Sequence, residues 1–488
     1  MSRPIGRNIR ALALAIALAF LATSLGVGYW SLVASADLAR DPFNPRLVAA
    51  LQDRPRGRIL AQEGSELAVS ARVGDAFRRS YAEGSLAQVV GYASFRYGAS
   101  GIEAAYAESL IGRDPADPLA QWRARYLRQY GEPNAVVLGI DPAVQRAAVE
   151  ALGGRRGAVV AIDVRTGRIL ASVSLPAYDP NLIADPATEE QAWAQVNDDP
   201  GRPLLNRVAQ GLYAPGSIFK IVTAAAALES GLDPERRIRV DDPFQADASW
   251  GDYSVRSATG AHGDFDLSLA MQRSENIYFA KVGLEIGGAA LAEWAERFGI
   301  GAAPELDLPA GGGQLSNTGD LDRPILVADT SFGQGELLVS PLQMALVVAT
   351  IARGGSQPTP HYATSVRDAE GGVLRAIEPG AAGQIVNPRT ALTLGRVLVE
   401  AVSAPGAFAA GARVPGLLVG GKTGTAENPQ GAPHGWFVGF APAEAPTVAV
   451  AVVIENAERG GEDAAPVGGA VLRAAAGNVS RGLLVPLE

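Results

Sequence analysis

From Ala11 to Val33 the chain carries 23 consecutive residues without a charge. As a helix rising about 1.5 Å per residue, this run reaches roughly 34 Å, enough to cross the hydrocarbon core of a bilayer. Arg3, Arg7 and Arg10 precede it with no acid among them. The positive-inside bias then puts residues 1–10 in the cytoplasm and everything after about residue 34 outside. Ala34-Ser35-Ala36 offers the small-residue cleavage site of a secretory signal, but a signal's apolar core runs only about 7 to 15 residues. The run therefore reads as a retained anchor at 11–33. Cleaved or retained, it exports the bulk of the chain to a compartment with no steady ATP supply.

A chain of 488 residues suggests roughly two or three domains with ample apolar material for a core. It has no cysteine, which removes disulfides, thiolate nucleophiles and sulfur-based zinc sites. His262, His361 and His434 are the only imidazoles, so neither a metal nor a cofactor is expected. A net charge of -9 without a long basic run argues against nucleic acid as a partner. Of 42 basic residues only Lys220, Lys281 and Lys422 are lysine. Arginine stays protonated under working conditions, whereas a desolvated lysine can lose its proton, so each lysine raises the question of why arginine would not serve.

Residues 416–425, "GLLVGGKTGT", match the phosphate-binding loop pattern. Such a loop must run into a helix whose amides face the anion. Here "GTAENPQGAPHGW" follows, a strand end and a loop, and a phosphate-loop ATPase would also need to be cytoplasmic. The same letters contain Lys422-Thr423-Gly424. With "GWFVGF" and "TVAVAVVIEN" they read as three successive, antiparallel strands. Gly424 would let a substrate backbone approach the strand edge and pair with it.

In "YAPGSIFKIVTAAAALESG" Pro215 and Gly216 end a loop, Ser217 takes the N-terminal position of a helix and Gly231 stops it. Between Ser217 and Glu229 the only charge is Lys220, so the helix should be buried on most sides and the lysine costly unless paired or neutral. The i, i+3 spacing stacks its amine near the Ser217 hydroxyl, and the helix N-terminus favours a developing oxyanion. Ser274 and Asn276 flank Glu275 at a helix or loop start; alone, a Ser-x-Asn tripeptide is usually a turn or cap. Lys281 reads as an ordinary residue of a polar helix face.

The three elements at Ser217, Ser274 and Lys422 resemble those of the penicillin-binding proteins and serine β-lactamases. "YAPGSIFK", "SFGQGELLVSPLQMALVVATIARGG", "GGKTGTAE" and "HGWFVGFAP" look like the transpeptidase domain of high-molecular-mass penicillin-binding proteins, over about residues 136–488. "RGRILAQEGSELAVS" and "VVGYASFRYGASGIEAAYAESLIG" look like the non-catalytic pedestal of the monofunctional, class B type, over 34–135. Ala214-Pro215 stands where a Pro-Pro pair is common and Ile218 where Thr or Val is frequent. The resemblance implies that Ser217 attacks a D-alanyl-D-alanine stem peptide, with Lys220 as general base. Ser274 would relay a proton to the leaving group, and Asn276 would hold Lys220 and a substrate amide. Lys422, Thr423 and Thr425 would bind the substrate carboxylate, and the Ser217 and Thr425 amides would form the oxyanion hole. An amine of a neighbouring stem then takes the acyl group, and β-lactam antibiotics would acylate Ser217 and stay. The partners it implies are peptidoglycan stem peptides, β-lactams and a separate membrane glycan polymerase that contacts the anchor and pedestal.

The fold class expected is α+β: one transmembrane helix, a small pedestal, and an antiparallel sheet sandwiched by helices. "VVAIDVRTGRILASVSL" reads as a hairpin turning at Thr166-Gly167, and "SPLQMALVVATIARGG" as a helix capped by Ser340, begun by Pro341 and ended by Gly354. "DLPAGGGQLSNTGDLDRP" is a long loop, and a final helical segment lies near 466–482, leaving no room for a C-terminal wall-binding module. A D,D-carboxypeptidase, a β-lactamase and a penicillin-sensing receptor use the same serine and stay open at this level. The carboxypeptidase differs only in passing the acyl group to water.

Overall fold

The computed structural model describes residues 4–33, 54–74, 76–113, 131–378, 380–428, 431–457 and 459–482. The Ala34-Ser35-Ala36 triplet and positions 429–430 lie outside these. The anchor is an α-helix over Pro4–Gly28 extended by a π-helical turn over Tyr29–Val33. No part of its 23-residue apolar span Ile9–Ser31 is buried, which fits a single-pass membrane anchor.

Five strands, Gly420–Ala426, His434–Ala441, Val448–Ile454, Gly157–Asp163 and Ile169–Leu175, stand side by side in that order, every neighbour antiparallel. The Val448–Ile454 strand shows why helices must cover both faces. Ala449, Ala451 and Val453 belong to one core with the Pro341–Ala352 helix, and Val448, Val450, Val452 and Ile454 to another with the Pro142–Leu152 and Gly461–Gly482 helices. With both faces dry, the strand is a continuous apolar run rather than an alternating one. Gly420–Ala426 is the edge strand at one side, and among the described residues no strand pairs with its outer side.

The hairpin turns as expected, with Asp163 Oδ1 accepting from the Arg165 and Thr166 amides and Gly167 at φ 81. The Pro341–Ala352 helix starts in a capping box, Ser340 and Gln343 each accepting from the other's amide. Two boundaries differ from expectation. The helix expected at Ser217 begins as a 3₁₀ turn over Gly216–Phe219 and becomes α-helical over Lys220–Glu229, and the Ser217 side chain makes no cap. The final helix starts at Gly461, earlier than expected, because Pro466 lies inside it and not at its first turn.

A second sheet of six strands takes Val373–Ala376, Ala363–Arg367, Ala135–Leu138, Ile59–Leu60, Glu66–Val73 and Ala76–Tyr81 in that order. It draws strands from both sides of position 135, the outer hairpin coming from far down the chain. Beneath it Glu103 is fully buried and takes Arg56 Nε and Arg79 Nε, each at 2.6 Å. The Tyr81 hydroxyl donates to the same carboxylate at 3.3 Å.

Candidate active site

The 3₁₀ turn carrying Ser217 is pressed against the edge strand. Gly216 has φ 56, and a Cβ there would fall 2.5 Å from the Thr425 carbonyl oxygen, so only glycine lets the turn approach this closely. Over the face of the sheet at Gly424 the protein itself leaves no room for a side chain. A Cβ at 424 would meet Pro215 O at 2.8 Å and Ile218 Cγ2 at 3.2 Å. Trp436 Nε1 donates to Ala214 O at 3.0 Å and ties the same loop to the next strand.

One helical turn on, Lys220 is fully buried, and its Nζ lies 2.9 Å from Ser217 Oγ, 2.7 Å from Ser274 O, 2.7 Å from Asn276 Oδ1 and 3.3 Å from Ser274 Oγ. Lys422 Nζ approaches from the edge strand and donates to Ser274 Oγ at 2.9 Å and to Thr423 O at 2.9 Å. The Ser274 hydroxyl thus bridges two buried lysines. Burial, and then the Lys422 ammonium, push the Lys220 amine well below the usual lysine range, with Glu275 opposing. Burial alone lowers Lys422 to about 7.

A neutral amine has two N–H donors and one lone pair. The two 2.7 Å acceptors, Ser274 O and Asn276 Oδ1, use the donors of Lys220, and the lone pair is left for the Ser217 hydroxyl. Asn276 is fixed through Nδ2, which donates to Arg256 O at 3.1 Å. On the edge strand Thr423 is buried and Thr425 exposed. Gly461 closes over both: its Cβ would lie 2.5 Å from Thr423 Cβ, and its amide reaches Thr425 Oγ1 at 3.4 Å.

Three comparisons bear on this arrangement. The family described as the penicillin binding protein transpeptidase domain matches residues 157–473, and that of the penicillin binding protein A dimerisation domain matches 56–136. The peptidoglycan D,D-transpeptidase PbpA of Mycolicibacterium smegmatis is 34% identical over 96% of this chain and 98% of its own. The chain belongs to the penicillin-binding transpeptidase family. Penicillin-binding protein A of M. tuberculosis, solved as its penicillin G acyl-enzyme, superposes with a TM-score of 0.79 at 33% identity, covering 87% of this chain and all of that one. Its imipenem acyl-enzyme gives a TM-score of 0.80 at 32% identity.

In this penicillin-binding transpeptidase all three motifs converge, and Lys281 stands apart, donating to Arg239 O at 2.8 Å above the Phe244 ring. Sequence reasoning missed two features. Ser274 is left-handed at φ 54, a conformation that costs a non-glycine residue about 1–2 kcal/mol; it lets the carbonyl and hydroxyl of one residue both face Lys220. Glu275, between the two motif residues, is buried, caps the Asn276–Ile286 helix through the Ile277 amide and accepts from Ser257 Oγ at 2.6 Å. A polar residue just before an apolar helix was the available signal for the cap.

Proposed function

We propose that this penicillin-binding transpeptidase cross-links peptidoglycan stem peptides through an acyl-enzyme on Ser217, and that β-lactams acylate the same oxygen. The observation that carries the reading is the Lys220 amine, dry, with its donors committed to Ser274 and Asn276 and its lone pair 2.9 Å from Ser217 Oγ. Lys220 takes the hydroxyl proton as Oγ attacks the carbonyl of the penultimate D-alanine. The Ser217 and Thr425 amides stabilise the oxyanion. Ser274, hydrogen-bonded to both lysines, passes a proton to the departing D-alanine, whose carboxylate is held by Lys422, Thr423 and Thr425. The amine of a second stem peptide then attacks the ester carbonyl and frees Ser217.

Residues 34–135 serve as the pedestal and 136–488 as the transpeptidase domain, with residues 1–10 cytoplasmic and the catalytic domain outside. A membrane glycan polymerase supplies the strands, docking on the anchor and pedestal. The test is intact mass of the full-length protein in detergent with benzylpenicillin, beside Ser217→Ala. A stable one-to-one adduct in the wild type and none in the variant supports the reading; folded wild-type protein without an adduct sinks it. Turnover of benzylpenicillin would point to a β-lactamase. Release of D-alanine with no acyl transfer to an added amine would point to a carboxypeptidase.

A further inference from the structure

Beside Asn276 and Ala214 the cleft widens into a cavity of about 1210 Å³. At the end where the strands of the five-stranded sheet terminate, its walls carry Arg156, Arg202 and Arg207 against one carboxylate, Glu455. Arg207 is completely buried. Its Nε donates to Glu455 Oε1 at 2.8 Å, while Nη1 and Nη2 donate to the Arg202 and Gly201 carbonyls at 3.1 and 2.5 Å. Glu455 also pairs with Arg156 and accepts from the Tyr213 hydroxyl at 2.8 Å. Two guanidinium groups therefore share one carboxylate before Arg202 is counted.

Arg202 is left-handed at φ 54, held so by Arg207 on its carbonyl and by its own amide on Asp199 O at 2.9 Å. Among the described residues no carboxylate lies within ion-pair distance of its exposed guanidinium. The nearest acid in sequence, Asp199, has Oδ1 on the Gly201 amide at 2.6 Å. The other acids of the cavity, Asp329 and Glu427, group with Tyr253, whose hydroxyl donates to Asp329 and whose own proton is held more tightly by burial first and then by both acids. A strained backbone that holds an unpaired cation over a cleft points to a ligand for that cation.

The direction of the donor peptide says which ligand. On the reading above, its terminal carboxylate lies at Lys422 and Thr423 and its scissile carbonyl between Ser217 and Thr425. The residues upstream therefore run toward Ala426. Ala426 is paired with His434, and Gly435 with Ile454, so Glu455 and its arginines lie at the end the donor is heading for.

We propose that Arg202 and the outer face of Arg156 form a subsite for a free carboxylate on the donor stem peptide, upstream of its D-alanyl-D-alanine terminus. Arg207 and Glu455 are positioning residues that brace the two. The inference rests on the acyl-enzyme reading of Ser217. It is tested with full-length enzyme in detergent and two synthetic stem peptides that differ only in carrying a free carboxylate or its amide on the residue preceding D-alanyl-D-alanine. Wild-type enzyme should release D-alanine from the free acid with kcat/KM roughly 10- to 100-fold above the amide, the span a lost charge-assisted pair predicts. The difference should lie in KM. Arg202→Ala should collapse that ratio toward one, and Arg202→Lys should restore part of it. Equal kcat/KM on both peptides in the wild type, or an equal loss on both in Arg202→Ala, overturns the subsite. Benzylpenicillin adduct formation by the wild type, run in parallel, separates the readings, because its failure removes the acyl-enzyme itself.

Discussion

Two of the places where the molecule buries basic side chains treat them in opposite ways. Under the six-stranded sheet, Arg56 and Arg79 close on the single carboxylate of Glu103, every group within a few ångströms of an opposite charge. Burial pushes the Glu103 carboxyl up, but Arg79 and then Arg56 outweigh it and hold it below the usual range. At the active site Lys220 and Lys422 are as deeply buried, yet both aim at neutral oxygens. Their pKa values fall as a result. Arginine paired with acid makes a permanently charged brace, and lysine among hydroxyls and carbonyls makes an amine able to lose its proton.

Breaking each network should separate stability from chemistry. Lys220→Met should slow acylation by benzylpenicillin by roughly 10² to 10⁴-fold, while leaving the melting temperature unchanged or raised, since an apolar replacement removes the cost of a buried cation. A large fall in melting temperature would show that the lysine braces the fold as the arginines do. Glu103→Gln should do the reverse. It strands two buried guanidinium groups and should cost about 3–5 kcal/mol in denaturant unfolding, with the surviving folded fraction acylated at the wild-type rate.

The pH dependence sharpens the contrast. On the proposed mechanism Lys220 must be neutral to accept the Ser217 proton, so acylation kcat/KM should rise with pH through its lowered pKa. Lys422 must be an ammonium to attract the carboxylate of the antibiotic, so the rate should fall again as pH rises past about 7, where that charge is lost. Lys422→Arg keeps the charge and should remove the alkaline limb; an unchanged limb in that variant would assign it elsewhere. The smallest effect concerns backbone strain. Ser274→Gly and Ser274→Ala both delete the bridging hydroxyl and should slow acylation alike, but glycine accepts φ 54 and should be about 1 kcal/mol the more stable.

Much of the site is legible in the sequence because its parts are local. Ser217 and Lys220 meet by helical spacing, and the scarcity of lysine marks Lys220 and Lys422 as chosen over arginine. The succession of three antiparallel strands led by the Lys422 strand follows from apolar runs separated by turns. What could not be read depends on residues far apart in the chain. Arg207 and Glu455 are 248 positions apart, and no local pattern links them. The 363–376 hairpin looks like any other pair of short strands until the sheet that receives it is in view. Nor does a serine announce the left-handed conformation usually reserved for glycine, because surrounding packing imposes it at Ser274.

By itself, then, the order of residues determined the anchor, the strand and helix alternation and the three motifs, since uncharged length, periodicity and i, i+3 spacing act over a few turns of chain. The tertiary structure alone decided that Lys220 is dry, that Lys422 stands beside Ser274, and that a ring of arginines ends the cleft. Desolvation and long-range pairing are properties of packed volume, and packed volume is set only when distant segments have met.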